Sequence, residues 1–290
     1  MDAKKILEAG NIAKQVKEYA KTIVKKDIPL LELAEKIEEK ILELGGKPAF
    51  PVNLSINNIA AHYTPSHDDT TLAHGLLKVD LGVHIEGYIA DTAFSIDLEN
   101  SNENKKLIEA SKKALELAEK TIKEKIKTSE IGKEIQKIIE SYGFSPVINL
   151  SGHEMGQYDL HAGVTIPNIE EKREIIIKKG LYAIEPFATT GSGKIHDGKP
   201  SGIYKLINEK NVRSPIAREI LEFIIKEHQT LPFCSRWLVK KFGVKSLFAL
   251  RELDNNGNLH QFPQLVDIPN SKVSQAENTV LIDKEKIITT

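Results

Sequence analysis

Between Ile6 and Ile23 the apolar residues Ile6, Ala9, Ile12, Ala13, Val16, Ala20 and Ile23 recur every three or four positions, the spacing of a helix with one buried stripe. A second helix is predicted from about Leu30 to Leu44, opened by Asp27-Ile28-Pro29 and closed by Gly45-Gly46. The stretch PAFPVNLSINNIAAHYTP then reads as a short strand leading into a loop that carries His62. From Lys78 to Asp97 the period changes to two: Val79, Leu81, Val83 and Ile85 alternate on one side of a Glu86-Gly87 turn, and Tyr88, Ala90, Thr92, Phe94 and Ile96 on the other. That is the pattern of a half-buried β-hairpin. Its opposite faces carry Asp80 and Asp91. An even number of loop residues places both carboxylates on the same side of the hairpin. A register centred between Ile85 and Glu86 would make them direct cross-strand partners, where like charges repel. For the hairpin alone, a solvated outer-face charge is the simpler reading of either aspartate.

The pattern then repeats. Asn102 to about Lys127 is a long amphipathic helix with a charged outer face, and Ser129 is expected to cap a shorter one running to Tyr142, stopped by Gly143. Pro146-Val147-Ile148-Asn149-Leu150-Ser151 echoes Pro51-Val52-Asn53-Leu54-Ser55, and each copy ends in a histidine-bearing loop. The strand-like run Gly180 to Phe187 places Glu185 much as the first half places Asp80. Two halves of this form are expected to pack as one α/β unit with their acids converging on a shared axis. Residues 207–265 break the pattern with three short helices, the first capped by Ser214-Pro215, and a strand-like HQFPQLVDI. They read as an inserted helical, winged-helix-like subdomain dividing a catalytic domain into residues 1–206 and 266–290. An ordinary packing element is the stronger reading of this insert, since no recognition helix shows a basic face.

Composition narrows the chemistry. The 290 residues are 40% hydrophobic and 28% charged, enough for a large core, and the formal charge of −1 gives no bulk reason to expect nucleic acid or an anionic membrane as the main partner. Cys234 is the only cysteine, so any metal is held by His, Asp and Glu. No apolar run reaches the roughly 20 residues of a membrane span, and an intracellular, cytoplasmic setting is expected. The candidate ligands are Asp80, Asp91, His153, Glu185 and Glu277, the last inside a β-type run with Val280 and Ile282. Four carboxylates and one imidazole suit one or two hard divalent ions. Held in one cavity without cations, the acids would drive each other's pKa values upward, which favours two ions and a hydrolytic centre. His62 and His161 stand in loops from which either is expected to donate to a carbonyl or an oxyanion.

The runs PAFPVNLSINNIAAHYTP, KVDLGVHIEGYIADTAF, LSGHEMGQYDLHAG, YAIEPFATTGSG and QAENTVLI, in this order, resemble methionine aminopeptidases of type II, in the short archaeal form. The resemblance covers essentially the whole chain, and LPFCSRWL lies in the insertion that separates type II from type I. It implies a pita-bread fold with two pseudo-symmetric halves and two divalent metal ions, cobalt, manganese, iron and zinc all tolerating the ligand set. Carried over residue by residue, it makes Asp80, Asp91, His153, Glu185 and Glu277 metal ligands, gives His62, His161 and Glu185 catalytic roles, and lines a methionine pocket with Phe50, Leu160, Phe187, Ile203 and Phe262, beside His62 and His161. It also implies removal of the initiator methionine from nascent polypeptides, with a small second residue preferred. The ribosome is a further candidate partner, and a monomer is expected. The family's closing motif usually has Phe and His flanking the glutamate, where this chain has Ala276 and Asn278. A prolidase would share fold and ligands but with an additional N-terminal domain, and metal-free relatives that act as binding proteins would have lost ligands.

Overall fold

The structure, a computed structural model, describes residues 1–172 and 175–290. The first half consists of helices α1 (Ala3–Ile23) and α2 (Leu30–Glu43) and strands β1 (Lys47–Ile56), β2 (Ile59–Ala61), β3 (Leu76–Ile85) and β4 (Tyr88–Asp97). The second contains α3 (Asn102–Thr121), α4 (Thr128–Ser141), β5 (Ser145–Pro146), β6 (Ser151–Met155), β7 (Thr165–Pro167), β8 (Gly180–Ile184), β9 (Phe187–Thr189) and β10 (His196–Leu206). There follow α5 (Pro215–Glu227), β11 (Phe233–Cys234), α6 (Ser235–Phe242), α7 (Ser246–Asn255) and β12 (Leu259–Val266), and the chain closes with β13 (Val273–Gln275), β14 (Asn278–Ile282) and β15 (Lys286–Ile288).

The stripe read along the first helix is the buried one. Ala9, Ile12, Ala13, Val16 and Ala20 pack with Leu33, Ile37 and Ile41 of α2 onto Val79, Leu81 and Val83 of β3. Asp2 starts α1 by accepting from the N–H groups of Lys4 and Lys5 at 3.1 and 3.3 Å, satisfying donors that a helix leaves open. In the second half α3 and α4 cover β8 and β14 through Leu107, Ala114, Ile131, Ile135, Tyr182 and Val280. The repeat reaches into the backbone. Asp27 and Lys125, each in the turn joining its half's two helices, both lie in the left-handed region at φ 65° and 70°, and Gly45 and Gly143 after the second helices do so at 88° and 81°.

Several expectations are corrected by long-range pairing. The hairpin loop is the two-residue Glu86-Gly87, with φ 49° and 83°, as a type I′ turn requires. Ile85 therefore pairs with Tyr88, Asp91 lies opposite Gly82, and Asp80 lies opposite Ala93: the aspartates share a face as diagonal neighbours, not direct partners. The hairpin is also buried on nearly all of β3, so it is not half exposed. The stretch expected as a short strand is the ten-residue β1. α3 stops at Thr121, because Lys125 and Thr128 donate to the carbonyls of Ile177 and Ile175 and turn the chain there. Ser129 lies inside α4 and does not cap it; the Glu130 side chain accepts from the N–H of Lys127 at 3.3 Å. The run 180–187 is two strands, with Glu185 in the break between them.

Around the insert, β10 pairs with β12, and β12 pairs with β2 through Leu265–Ala61 and Val266–Ile59. The insert's helices have their own core of Ala217, Ile220, Ile224, Leu238, Leu250 and Leu253. Its anchor to the first half is polar: Arg236 donates to both carboxylate oxygens of Glu38 at 2.7 and 2.8 Å and to the Pro65 carbonyl at 3.0 Å. Trp237 adds a third donor to Glu38 at 2.8 Å.

Candidate metal centre

Where the two halves meet, Glu277 pairs with Ala93 through both backbone bonds, its N–H to the Ala93 carbonyl at 3.0 Å and the reverse at 3.3 Å. This bridge places Glu277 beside Asp91, whose N–H donates to Thr279 Oγ1 at 2.7 Å while that hydroxyl returns a bond to the Asp91 carbonyl at 2.8 Å. β6 supplies His153, paired with Ala183 of β8, two residues before Glu185. One cavity of about 380 Å³ is thereby lined by Asp80, Asp91, His153, Glu185 and Glu277, together with His62 and His161 and with Phe50, Leu160, Phe187, Ile203 and Phe262. The structure brings all twelve candidate ligand, catalytic and pocket residues to this cavity.

Donor atoms of Asp91, His153 and Glu277 lie within 4.8 Å of one another, close enough to converge on one ion. His153 Nε2 is 3.8 Å from oxygens of both Asp91 and Glu185, too long for hydrogen bonds. Asp80 Oδ1 and Asp91 Oδ1 are buried and have no hydrogen-bond donor among the described residues. Buried carboxylate oxygens without donors are what a cation would satisfy, and a hard, oxygen-rich set fits a divalent ion. The electrostatics agree. Burial pushes the Asp80 carboxyl up to about 7. Burial, then the charges of Asp80 and Glu185, hold Asp91 well above the usual carboxylate range. Glu185 and Glu277 are raised for the same two kinds of reason. Each of these acids therefore holds a proton more tightly than it would in water.

The histidines are kept neutral. Burial lowers His153 to about 3 and His62 to about 4. His62 sits in the left-handed region at φ 62°, its Nδ1 3.2 Å from the Pro263 carbonyl and its ring edge-on to Phe262 at 5.5 Å. A carbonyl only accepts, so Nδ1 carries the proton and Nε2 is left as an acceptor. His161, exposed at the mouth, packs edge-on against His153 with centroids 4.5 Å apart.

The apolar end has its own local cause. Gly82, centred between β1 and β4, faces Phe50, and a Cβ there would come within 2.3 Å of the Phe50 ring. Glycine is what lets the ring reach the cavity wall. Phe187 and Ile203 are buried, and Phe262 is half-buried.

Sequence reasoning missed Gln275. Its amide donates to Glu185 Oε2 and Glu277 Oε2, both at 3.3 Å, spanning two acids that would otherwise repel. Its position two residues before Glu277, on the same face of an extended segment, was the available signal.

Comparison with known proteins gives the same direction. The model of metallopeptidase family M24 matches residues 4–246. A methionine aminopeptidase from Pyrococcus abyssi is 46% identical over 295 residues, covering 100% of this chain and 99% of that protein. Two solved structures show the fold: a thermophilic Arx1 (TM-score 0.85, 17% identity, 99% of this chain and 90% of that one) and a methionine aminopeptidase from Thermotoga maritima (TM-score 0.68, 22% identity, 99% and 95%). On that identity and coverage, the chain belongs to metallopeptidase family M24 and to the methionine aminopeptidases within it.

Proposed function

We propose that this metal-dependent aminopeptidase removes N-terminal methionine with two divalent ions held by Asp80, Asp91, His153, Glu185 and Glu277. The observation that carries the reading is a single cavity with convergent acids and buried carboxylates at one end and Phe50, Leu160, Phe187, Ile203 and Phe262 as apolar walls. Two divalent cations balance four carboxylates, which one does not. Bound there, they supply a Lewis acid for the scissile carbonyl and a water that ionises near neutral pH.

The chain's own groups do the rest. The apolar walls take the unbranched thioether side chain, which carries no group needing a hydrogen bond. The acidic end favours a free α-amine, which accounts for cleavage only at the chain terminus. Neutral His62, with Nε2 free to accept, takes the N–H of the scissile amide and fixes its orientation. His161, at the mouth, donates to the substrate's carbonyl side. Glu185 moves a proton from water to the leaving amine, a role its position on the cavity wall allows. The two histidines crowd the side after the scissile bond, which favours a small second residue. The setting we infer is the cytoplasm, with nascent polypeptides as substrates and the ribosome as a candidate site of encounter.

The test is cleavage of Met-Ala-Ser, its N-acetylated form and an X-Pro peptide by chelated protein, before and after adding Co²⁺, Mn²⁺, Fe²⁺ or Zn²⁺. Methionine release from the first peptide alone, restored by metal, is expected. Cleavage of the acetylated peptide, or none with any ion, overturns the reading.

A further inference from the structure

Asp91 and Glu277 point into the cavity, so the residue after each, Thr92 and Asn278, faces the opposite side of these extended segments. On that side stands Lys17 of α1. Its Nζ is 2.8 Å from Thr92 Oγ1, 2.8 Å from Asn278 Oδ1 and 3.5 Å from the Glu277 carbonyl. Thr92 Oγ1 donates to that same carbonyl at 2.8 Å, and Asn278 Nδ2 donates onward to Glu119 of α3. One ammonium therefore ties together the residues that follow two acids on two chain segments. It does so from a half-buried site, at some cost in desolvation.

We propose that Lys17 is a positioning residue for the metal centre: from behind the strands it clamps the backbones presenting Asp91 and Glu277 at the separation that ion binding needs. This rests on the reading of the cavity as a metal centre. Once ionised to bind metal, the two acids repel each other until an ion sits between them; the clamp opposes that spreading, so the ligands are held at the right separation as the ion arrives. Groups that support ligands from one bond away commonly change affinity by about 10- to 100-fold.

The test is calorimetric titration of Mn²⁺ into chelated wild type, Lys17→Met, Lys17→Arg and Asn278→Ala, with the fold checked by circular dichroism. Lys17→Met keeps the apolar stem and is expected to bind Mn²⁺ about 10-fold or more weakly; Lys17→Arg should recover most of the loss. Asn278→Ala, which leaves the ammonium in place but removes one of its anchors, should weaken binding in the same direction, and it decides the matter if Lys17→Met does not fold. With Mn²⁺ saturating, KM for Met-Ala-Ser should stay within about twofold while kcat falls. Wild-type Mn²⁺ affinity in folded Lys17→Met, even with a lowered melting temperature, overturns the proposal. Tighter binding overturns it too, because the ammonium would then act as a repelling charge. Absence of Mn²⁺ uptake by the wild type overturns the metal-centre reading itself, a result distinct from any difference among variants.

Discussion

At the scale of single residues, the site is governed by desolvation. The metal-free carboxylates hold protons that the unfolded chain would release, and the histidines refuse protons that the unfolded chain would take. The signs follow by linkage. An acid whose folded pKa is raised makes its full contribution below its unfolded value and loses it as pH climbs through the folded value; for Asp80 that window runs from 3.8 to about 7, and Asp91, Glu185 and Glu277 are shifted in the same direction. His62 and His153, lowered from 6.5 to about 4 and about 3, act oppositely, and their contribution is lost as pH falls below 6.5. The two trends oppose each other between pH 4 and 6.5, and above 6.5 the acids act alone. The melting temperature of chelated protein is therefore expected to fall from pH 6.5 to 8, and to fall less in Asp80→Asn. A flat or rising profile in differential scanning fluorimetry would show that the cluster is not protonated in the folded state.

At the scale of elements, two contacts set the cavity's shape. Gly82→Ala places a methyl group against Phe50 and pushes the ring off the wall, a local overpacking of about 1–3 kcal/mol. The expected kinetic signature is a raised KM for methionyl peptides with metal affinity unchanged; an unchanged KM would show that Phe50 does not bound the substrate. The second contact joins the insert to α2. Arg236 and Glu38 are 2% and 7% exposed, so removing one partner leaves a buried charge unpaired. Glu38→Ala is expected to cost about 3–5 kcal/mol in urea denaturation. Because β12 lies in one sheet with β2, loosening this anchor should also disturb Phe262 against His62.

At the scale of the molecule, the halves close on each other through a cluster whose acids hold protons more tightly than in water, so filling it is expected to expel protons. Titrating Mn²⁺ in buffers of differing ionisation enthalpy should register net proton release, larger at pH 6.5 than at pH 8. The ion should also raise the melting temperature in proportion to its affinity, because it binds only the folded arrangement. Proton-independent binding would mean that the acids are already ionised, contrary to their burial.

What the sequence determined by itself is what local periodicity and residue type can encode: two helix pairs, an acid-bearing hairpin, an echo of it in the second half, and a hard ligand set without thiolates. The side on which Asp80 and Asp91 sit follows from parity, which a two-residue loop preserves. Their diagonal placement was left to the turn, since Glu86-Gly87 sets the pairing and a shift of the register centre changes every partner. The break that isolates Glu185, the end of α3 at Thr121 and the true start of α4 were decided by backbone bonds to segments roughly fifty residues away or more. Gln275 between two acids, Lys17 behind them and the Arg236–Glu38 anchor are likewise products of tertiary structure. Each is an ordinary polar residue in its own neighbourhood, and only folding removes the water that makes its pairing matter.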